Sequence, residues 1–210
     1  MKLKKKIPSL ICTESALLPT KHGTWKAVAF RQSVSHKGDT HVALFLEGKG
    51  KNIGLAGAKS VLVRVQSECM TSEVFGSRKC DCADQLAAAM KRIRKAGQGV
   101  VVYLRQEGRG VGIFSKLRAY HLQDLGFDTV EANALLGLAQ DSREYSAAAA
   151  ILKHLGIVSV RLMTNNPAKI IGLRKNGVIV LSRVPLITKS DRWNRDYLRT
   201  KRKKMGHLLK

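Results

Sequence analysis

Acidic and aromatic residues are scarce in this 210-residue sequence. It contains 15 Asp and Glu against 38 Lys and Arg, which gives a formal net charge of +23 at pH 7. A field of this sign favours anionic partners such as nucleotide phosphates, nucleic acid or an anionic membrane surface, but it does not specify a fold. Aromatic residues make up only 5% of the chain, which argues against a module that stacks nucleic-acid bases.

Cysteine is also scarce, and long apolar runs are missing. Cys80 and Cys82 are separated by one residue, so a framework of disulfides is not expected from the four cysteines. No apolar run approaches the roughly 20 residues that span a bilayer, and the basic start at 2–6 has no signal-peptide core behind it. We therefore predict a cytoplasmic protein without membrane contact, in which clustered cysteines indicate metal binding or catalysis.

The pattern of apolar residues predicts a β-rich first half followed by alternating helices and strands. Predicted strands cover 25–30, 40–46, 61–66, 99–104, 158–163 and 178–180. Predicted helices cover 83–96, 113–125, 142–155 and 167–175. The stretch from Gly48 to Gly57 is predicted to be a loop. The fold class is therefore α+β passing into α/β, in one compact domain with a mixed sheet flanked by helices.

Three thiols lie within 14 residues, at Cys69, Cys80 and Cys82. Three thiolates suit a tetrahedral Zn²⁺ with one open coordination position, where zinc lowers the pKa of water towards about 7. Spacing alone leaves two alternatives open: buried structural cysteines, or a structural zinc site closed by a distant His or by Cys12. The paired Cys-x-x-Cys knuckles of zinc fingers and the signature of nucleobase deaminases are both absent.

Polar motifs follow the predicted strands. Arg64–Glu68 leads directly into Cys69, and Arg105–Gly112 joins a strand to a helix. Asp141–Arg143 and Thr164–Lys169 each open a helix. Each motif alone is equally well explained as a capping turn with solvated charges, and none is a P-loop or a dinucleotide fingerprint. Their common place at strand ends predicts a ligand site, because open α/β sheets bind ligands there.

Taken together, these segments resemble GTP cyclohydrolase II. The matching segments, in the family's order and at similar spacing, are Arg64–Cys69, Arg78–Cys82, Arg105–Gly112, Leu117–Asp124, Asp128–Asn133, Met163–Pro167, Tyr197–Lys201 and Lys204–His207. The resemblance implies a GTP cyclohydrolase II-like catalytic domain at 23–188. It would lie between a basic N-terminal extension at 1–22 and a basic C-terminal tail at 189–210 that begins as a helix and then frays.

The resemblance also implies a reaction, in which the imidazole ring of GTP is opened and formate and pyrophosphate are released. This is the first step of riboflavin biosynthesis, and it yields a diaminopyrimidinone ribosyl phosphate. The ligands of one Zn²⁺ per chain, carried over by position, are Cys69, Cys80 and Cys82. Asp141 is implied as proton acceptor, Arg143 as nucleophile towards the α-phosphate, and Tyr120 as support for the later hydrolytic step. An Arg side chain with a pKa above about 12 is a poor nucleophile, so a purely electrostatic role for Arg143 stays open.

Substrate binding is implied at a further set of positions. These are Arg64, Val65, Gln66, Ser67, Glu68, Gln85, Glu107, Gly108, Arg109, Thr129, Thr164 and Lys169. Basic groups suit the phosphates, while amide and carboxylate groups suit the guanine edge. Mg²⁺ is expected on the triphosphate oxygens, and a homodimer is implied.

Two positions depart from the family pattern, and two alternatives follow. Gln66 stands where His is usual and Ser115 where Asn is common. Because Gln66 borders the metal site, one alternative is a specialised paralogue that stops at a formylated pyrimidine or serves another pathway, although Tyr120 argues against early arrest. The alternative from another class is a zinc-containing RNA-binding protein, motivated by the charge of +23. An added contact of the basic tail with nucleic acid is compatible with either enzyme.

Overall fold

The computed structural model describes residues 10–32, 40–48 and 54–209, and one mixed sheet organises this part of the chain. Its strands are β1 Leu10–Cys12, β2 Ala16–Thr20, β3 Gly23–Gln32, β4 His41–Glu47, β5 Val61–Ser67, β6 Gln98–Leu104, β7 Ser159–Met163 and β8 Ile179–Val184. The helices are α1 Met70–Glu73, α2 Cys82–Ala96, α3 Gly112–Asp124, α4 Thr129–Leu135, α5 Ser146–His154, α6 Pro167–Lys175 and α7 Arg195–Lys204. None of these helices is long and apolar enough to cross a membrane.

The sheet is antiparallel on one side and parallel on the other. The strand order is β1-β3-β4-β6-β5-β7-β8, with β2 also paired to β3. Strands β1 to β4 pair antiparallel, and so do β4 and β6. Strands β6, β5, β7 and β8 run parallel. Parallel neighbours need long crossover connections, and these contain the helices between them. The predicted mixed sheet flanked by helices is confirmed.

Both faces of the parallel part are buried by helices, and β5 illustrates why its sequence is almost continuously apolar. Its residues Val61, Val63 and Val65 share one core cluster with side chains of α5 and α6. Leu62 lies on the opposite face and packs in a second cluster with Ile93 of α2. Successive side chains of a strand alternate between faces, so a strand covered on both sides reads as an unbroken hydrophobic run.

The start of the domain lies earlier in the chain than the sequence indicates. Residues of the expected extension at 1–22 form β1 and β2, and both strands pair with β3 in the same sheet. Most of their side chains are exposed, so these strands carry no apolar alternation that marks them in the sequence. Residues 1–9 lie outside the described part of the chain.

Other boundaries also shift. The helix expected over 142–155 begins at Ser146, because the preceding residues form a loop in which Arg143 pairs with Asp141. Helix α4 was not predicted from periodicity, and it begins at a capping box made by Asp128 and Glu131. The basic tail does contain a helix, α7, but it begins at Arg195 and not at the start of the tail at 189, and it ends at Lys204. The expected loop from Gly48 to Gly57 lies partly outside the described residues.

Gly99 lies in β6 at a point where its neighbours leave no room for a side chain. A Cβ there would lie 2.5 Å from the carbonyl oxygen of Leu62 and 2.9 Å from Cγ2 of Ile93. Gly99→Ala is therefore expected to lower the free energy of unfolding by about 2–3 kcal/mol, measured by urea denaturation. Gly97→Ala is the control, since its φ is also positive but its Cβ would meet open space, and it should cost only about 1 kcal/mol. Equal losses from both variants would contradict the packing argument.

Candidate metal centre and substrate cleft

The candidate site lies at the carboxyl edge of the parallel strands. Strands β5, β6 and β7 are neighbours that run in the same direction and end at Ser67, Leu104 and Met163. The turns that follow them carry the polar motifs of the sequence. Because the strands are parallel, these motifs meet at one edge of the sheet, as expected for ligand sites in α/β folds.

Strand β5 also delivers polar side chains from within its length. Arg64 and Gln66 share the face of Leu62, beyond the point where α2 fills that face with apolar side chains. Both are almost fully buried, with exposed fractions of 5% and 1%. Burial lowers the pKa of Arg64 to about 10, so the guanidinium stays charged at neutral pH. The strand therefore places a cation in the wall of the site.

The three thiols predicted to bind metal do meet in space. The Sγ atoms of Cys69, Cys80 and Cys82 all lie within 4.8 Å of one another, and those of Cys69 and Cys80 are 3.6 Å apart. Hydrogen bonds from the other two thiols lower the pKa of Cys69, whereas the same contacts raise the pKa of Cys80 and of Cys82. Three such groups can ionise together only around a cation, so this donor set fits Zn²⁺. Among the described residues no fourth His, Cys, Asp or Glu joins the cluster, which leaves a coordination position open.

Lys116 and Glu107 join the turn at Cys69 and Met70 to the motif that follows β6. Lys116 Nζ lies 3.1 Å from Cys69 Sγ and donates to Glu107 Oε1 at 2.8 Å. Glu107 also accepts from the backbone N–H of Met70 at 2.6 Å and of Gly108 at 2.7 Å. Glu107 was predicted to bind substrate, but in this geometry its carboxylate organises two loops of the site.

A buried polar network lies behind the thiols, and sequence reasoning missed two of its members. Gln66 accepts from Arg64 Nε at 2.9 Å and donates to Glu73 Oε1 at 2.7 Å. Glu73 Oε2 accepts from the hydroxyl of Tyr103 at 2.5 Å and from the backbone N–H of Cys69 at 3.1 Å. Glu73 thus holds both the unusual Gln66 and the backbone of Cys69 in place, and Tyr103 in turn holds Glu73. The only signal in the sequence was the carboxylate four residues after Cys69.

The network continues on the other side of Arg64. Arg64 Nη2 donates to Gln85 at 2.6 Å, and Gln85 donates in turn to Asp81. Asp81 stands between Cys80 and Cys82 and forms an ion pair with Lys201 at 3.0 Å, with an exposed fraction of only 1%. The loop of Cys80 and Cys82 is therefore held from behind by charged and amide groups, which is how ligand side chains are oriented at metal sites.

Two further basic groups face the same region as Arg64. Lys169, in α6, is buried and donates to the backbone carbonyl of Val65 at 2.6 Å. Burial and the charges of Arg64 and Arg143 lower its pKa well below the usual value. Arg143 donates to both carboxylate oxygens of Asp141, at 2.8 and 2.5 Å. Burial disfavours the charged forms of Arg143 and Asp141. Their pairing outweighs this effect of burial, so the pKa of Arg143 is raised and the pKa of Asp141 is lowered.

A cleft connects the thiols with these cations. It contains about 1030 Å³ of space free of protein atoms, part of it open to solvent. The predicted site residues that line it are Arg64, Gln66, Ser67, Glu68, Cys69, Cys80, Cys82, Gln85, Glu107, Gly108, Arg109, Tyr120, Thr129, Arg143, Thr164 and Lys169. Val65 and Asp141 do not line it, and they hold Lys169 and Arg143 from behind.

Three cleft residues come from a segment that sequence reasoning set apart as a tail. Tyr197, Lys201 and His207 line the cleft together with the predicted residues. Burial and the nearby charges of Lys201, Arg109 and Arg143 lower the pKa of His207 to about 4. The resemblance of this segment to the family was the only available signal, and the run of positive charge hid its role.

Fold and site together define a mixed α/β protein in which three clustered cysteines, able to hold a metal ion, border a cleft lined by basic side chains. The family model described as GTP cyclohydrolase II matches residues 12–185. The chain therefore belongs to the GTP cyclohydrolase II family.

Curated relatives agree with this assignment. The chain is 52% identical over 192 residues to the monofunctional riboflavin biosynthesis protein RIBA 3 of Arabidopsis thaliana, covering 91% of this chain and 36% of the relative. It is 50% identical over 192 residues to the riboflavin biosynthesis protein RibBA of Bacillus cereus, covering 91% and 46%. The chain thus spans between a third and a half of the length of these relatives.

A likeness among solved structures is more distant. A two-domain 3,4-dihydroxy-2-butanone 4-phosphate synthase from A. baumannii superposes with a TM-score of 0.49 and 16% identity, over 86% of this chain and 41% of that one. A likeness at this level carries no argument about the site.

Proposed function

We propose that this chain is a zinc-dependent GTP cyclohydrolase II, which opens the imidazole ring of GTP and releases formate and pyrophosphate in the first step of riboflavin biosynthesis. The observation that carries the proposal is the meeting of three thiols with buried cations in one cleft. The thiols supply a hydrolytic metal site, and the cations supply a place for a triphosphate. Family membership selects GTP among nucleotides.

The residues that would hold the metal are Cys69, Cys80 and Cys82. When bound there, Zn²⁺ acts as a Lewis acid and makes water nucleophilic near neutral pH. Glu73 keeps the backbone of Cys69 in place, and Asp81 keeps the loop of Cys80 and Cys82 in place. Tyr120 lies beside this centre, with Lys79 Nζ 5.0 Å and Lys116 Nζ 5.6 Å from its ring centroid. Burial raises its pKa, so its phenol stays protonated and can donate a hydrogen bond to the reacting ring.

We assign Arg143 an electrostatic role at the α-phosphate. Its pairing with Asp141 raises the pKa of the guanidinium against the effect of burial, and a charged guanidinium has no lone pair for attack. The two hydrogen bonds from Arg143 occupy both oxygens of Asp141 and lower its pKa, so this carboxylate is a weak base in the geometry described. Asp141 then orients Arg143, and proton acceptance by Asp141 would require the pair to loosen.

Identification of the product after incubation with GTP, Mg²⁺ and Zn²⁺ tests the proposal. We expect formate, pyrophosphate and the deformylated pyrimidine, detected by mass spectrometry. A product that keeps the formyl group would support the specialised paralogue motivated by Gln66, and formate release that persists after complete removal of zinc would refute the metal's role. The cleft in the described part of the chain favours the enzyme over the RNA-binding alternative, and two of the tail's basic residues, Lys201 and Lys204, form ion pairs within the chain.

Lys169→Met is expected to weaken GTP binding without destabilising the fold. The buried ammonium has a strongly lowered pKa and a single backbone acceptor, so the folded protein loses little when an apolar chain of similar length replaces it. The KM for GTP should rise about 10- to 100-fold, as for a lost charge-assisted hydrogen bond, while the melting temperature stays the same or rises. Lys175→Met, on the exposed end of the same helix, is the control for both measurements. An unchanged KM would remove Lys169 from the substrate site.

Three finer properties belong to the same proposal. We expect Mg²⁺ to bind with the substrate, carried mainly by its phosphate oxygens. We expect a homodimer, supported by the family and by the exposed apolar side chains of Val74, Phe75 and Phe114. Light scattering would measure the mass of the particle in solution and so test this expectation. A cytoplasmic location stays a prediction that rests on the reduced cysteines.

A further inference from the structure

We propose that the strap, defined as residues Asp191–Leu209, closes the substrate cleft, and that its residues Tyr197 and His207 contact the triphosphate end of the substrate. The inference rests on the proposed function and goes beyond it, because it adds a segment and two residues to the site.

The strap is fastened to the rim of the cleft at four points. Arg78 donates to Asp191 at 2.5 Å, and Lys201 pairs with Asp81 at 3.0 Å. Lys204 pairs with Asp128 and Glu131 at the start of α4, and the backbone N–H of Leu208 donates to the carbonyl of Asn165 at 2.8 Å. The partners lie in three places: Arg78 and Asp81 in the connection between α1 and α2, Asp128 and Glu131 at the start of α4, and Asn165 after β7. The positive charge of the strap is thus partly neutralised by acidic groups of the site itself.

The ion pair of Lys201 with Asp81 links the strap to the segment that contains Cys80 and Cys82. Lys201 and Asp81 are both almost fully buried, and Asp81 lies between Cys80 and Cys82. Removal of one partner from a buried ion pair leaves an uncompensated charge, so this contact should contribute most to docking. The other ion pairs of the strap are more exposed and therefore weaker.

Two unpartnered nitrogens indicate what the closed cleft would bind. Nδ1 of His207 and Nη1 of Arg109 are buried without a hydrogen-bond partner, and both residues line the cleft. Buried polar atoms of this kind are rare and call for a ligand or water. Arg109 also has a positive φ of 62°, which is unusual for a residue with a side chain and is typically retained at functional sites.

The charges around these nitrogens point to an anion. Arg109 lies 6.0 Å from the ring centroid of Tyr197, and Lys201 Nζ lies 4.4 Å from the same ring. The positive charges of Lys201, Arg109 and Arg143 act on His207 and favour its neutral form, in which one ring nitrogen still donates a hydrogen bond. A neutral donor among cations suits phosphate oxygens. We therefore place the triphosphate, and not the base, under the strap.

Docking is tested by trypsin cleavage, because the strap is rich in Lys and Arg. Lys201→Met should expose the strap and raise its cleavage rate about tenfold or more over Lys203→Met, measured by mass spectrometry of the shortened chain. Each variant removes one trypsin site, so the two proteins keep the same number of sites. Lys203 is exposed, so its replacement breaks no buried contact. Equal cleavage rates in the two variants would overturn the docking of the strap.

Substrate contact is tested with inorganic tripolyphosphate as a probe, by isothermal titration calorimetry, and with GTP kinetics. His207→Ala should weaken tripolyphosphate binding and raise the KM for GTP about tenfold or more, whereas His121→Ala, on the exposed side of α3, should change neither. Tyr197→Ala should also weaken tripolyphosphate binding and raise the KM for GTP. Affinities equal to wild type in both strap variants would overturn the contact. If wild-type protein does not turn over GTP, the proposed function fails, while the tripolyphosphate and trypsin comparisons still decide the strap.

Discussion

The Cys80→Ala variant is expected to lose zinc and to release formate from GTP at least about 10³-fold more slowly than wild type. Cys80 is buried and its Sγ lies 3.6 Å from that of Cys69. Among the described residues no other His, Cys, Asp or Glu joins the three thiols, so no nearby side chain replaces the lost ligand. Two thiolates bind Zn²⁺ more weakly than three and leave the metal poorly oriented for hydrolysis. Zinc content by mass spectrometry and formate release should fall together.

The matched control is Cys12→Ala. Cys12 is exposed in β1 and contacts His154 at 3.5 Å, away from the thiol cluster. Its replacement should leave one zinc per chain and unchanged turnover. A Cys80→Ala protein that keeps full activity, or a Cys12→Ala protein that loses zinc, would show that the metal site has been assigned to the wrong thiols.

The second large effect is expected from Arg143→Ala. Arg143 is held by two hydrogen bonds to Asp141, so its charge is fixed before substrate arrives. A preorganised cation at developing phosphate charge contributes about 10²–10³ in rate, and pyrophosphate release should fall by that factor with a smaller change in KM. Arg143→Lys keeps the charge but loses the planar fork, so it should recover only part of the rate.

The matched control for Arg143→Ala is Arg118→Ala. This variant removes an exposed guanidinium from α3 and should leave pyrophosphate release unchanged. Intact-protein mass spectrometry during turnover distinguishes the two roles of Arg143. A nucleotidyl adduct that maps to Arg143 would establish covalent catalysis and overturn the electrostatic assignment.

The elements of the central sheet could be predicted because their signals are local. The helix over Pro167–Lys175 has the predicted bounds, with Asn166 as its N-cap, and the apolar run of β5 ends within one residue of its predicted end. Strands β1 and β2 could not be predicted, since their side chains are mostly exposed and only pairing with β3 makes them strands.

The candidate site could be predicted where a motif carried the chemistry. The spacing of Cys69, Cys80 and Cys82 indicated a metal site, and the three Sγ atoms do converge within 4.8 Å. The partners that fix these ligands could not be predicted in the same way. Glu73 meets Tyr103 across 30 residues, and no periodicity or spacing encodes that contact. The contact depends on the parallel register of β5 with β6.

By itself the sequence determined the chemistry of the site: three thiols, a set of basic motifs at strand ends, and an excess of positive charge. Only the tertiary structure decided how that charge is used. Lys201 is 120 residues from Asp81 in the chain, yet the two form a buried pair beside Cys80 and Cys82. Residue types and short spacings follow from the sequence directly, whereas contacts between distant segments depend on strand register and on the packing of α7 against the cleft. The apparent tail thus becomes a wall of the site.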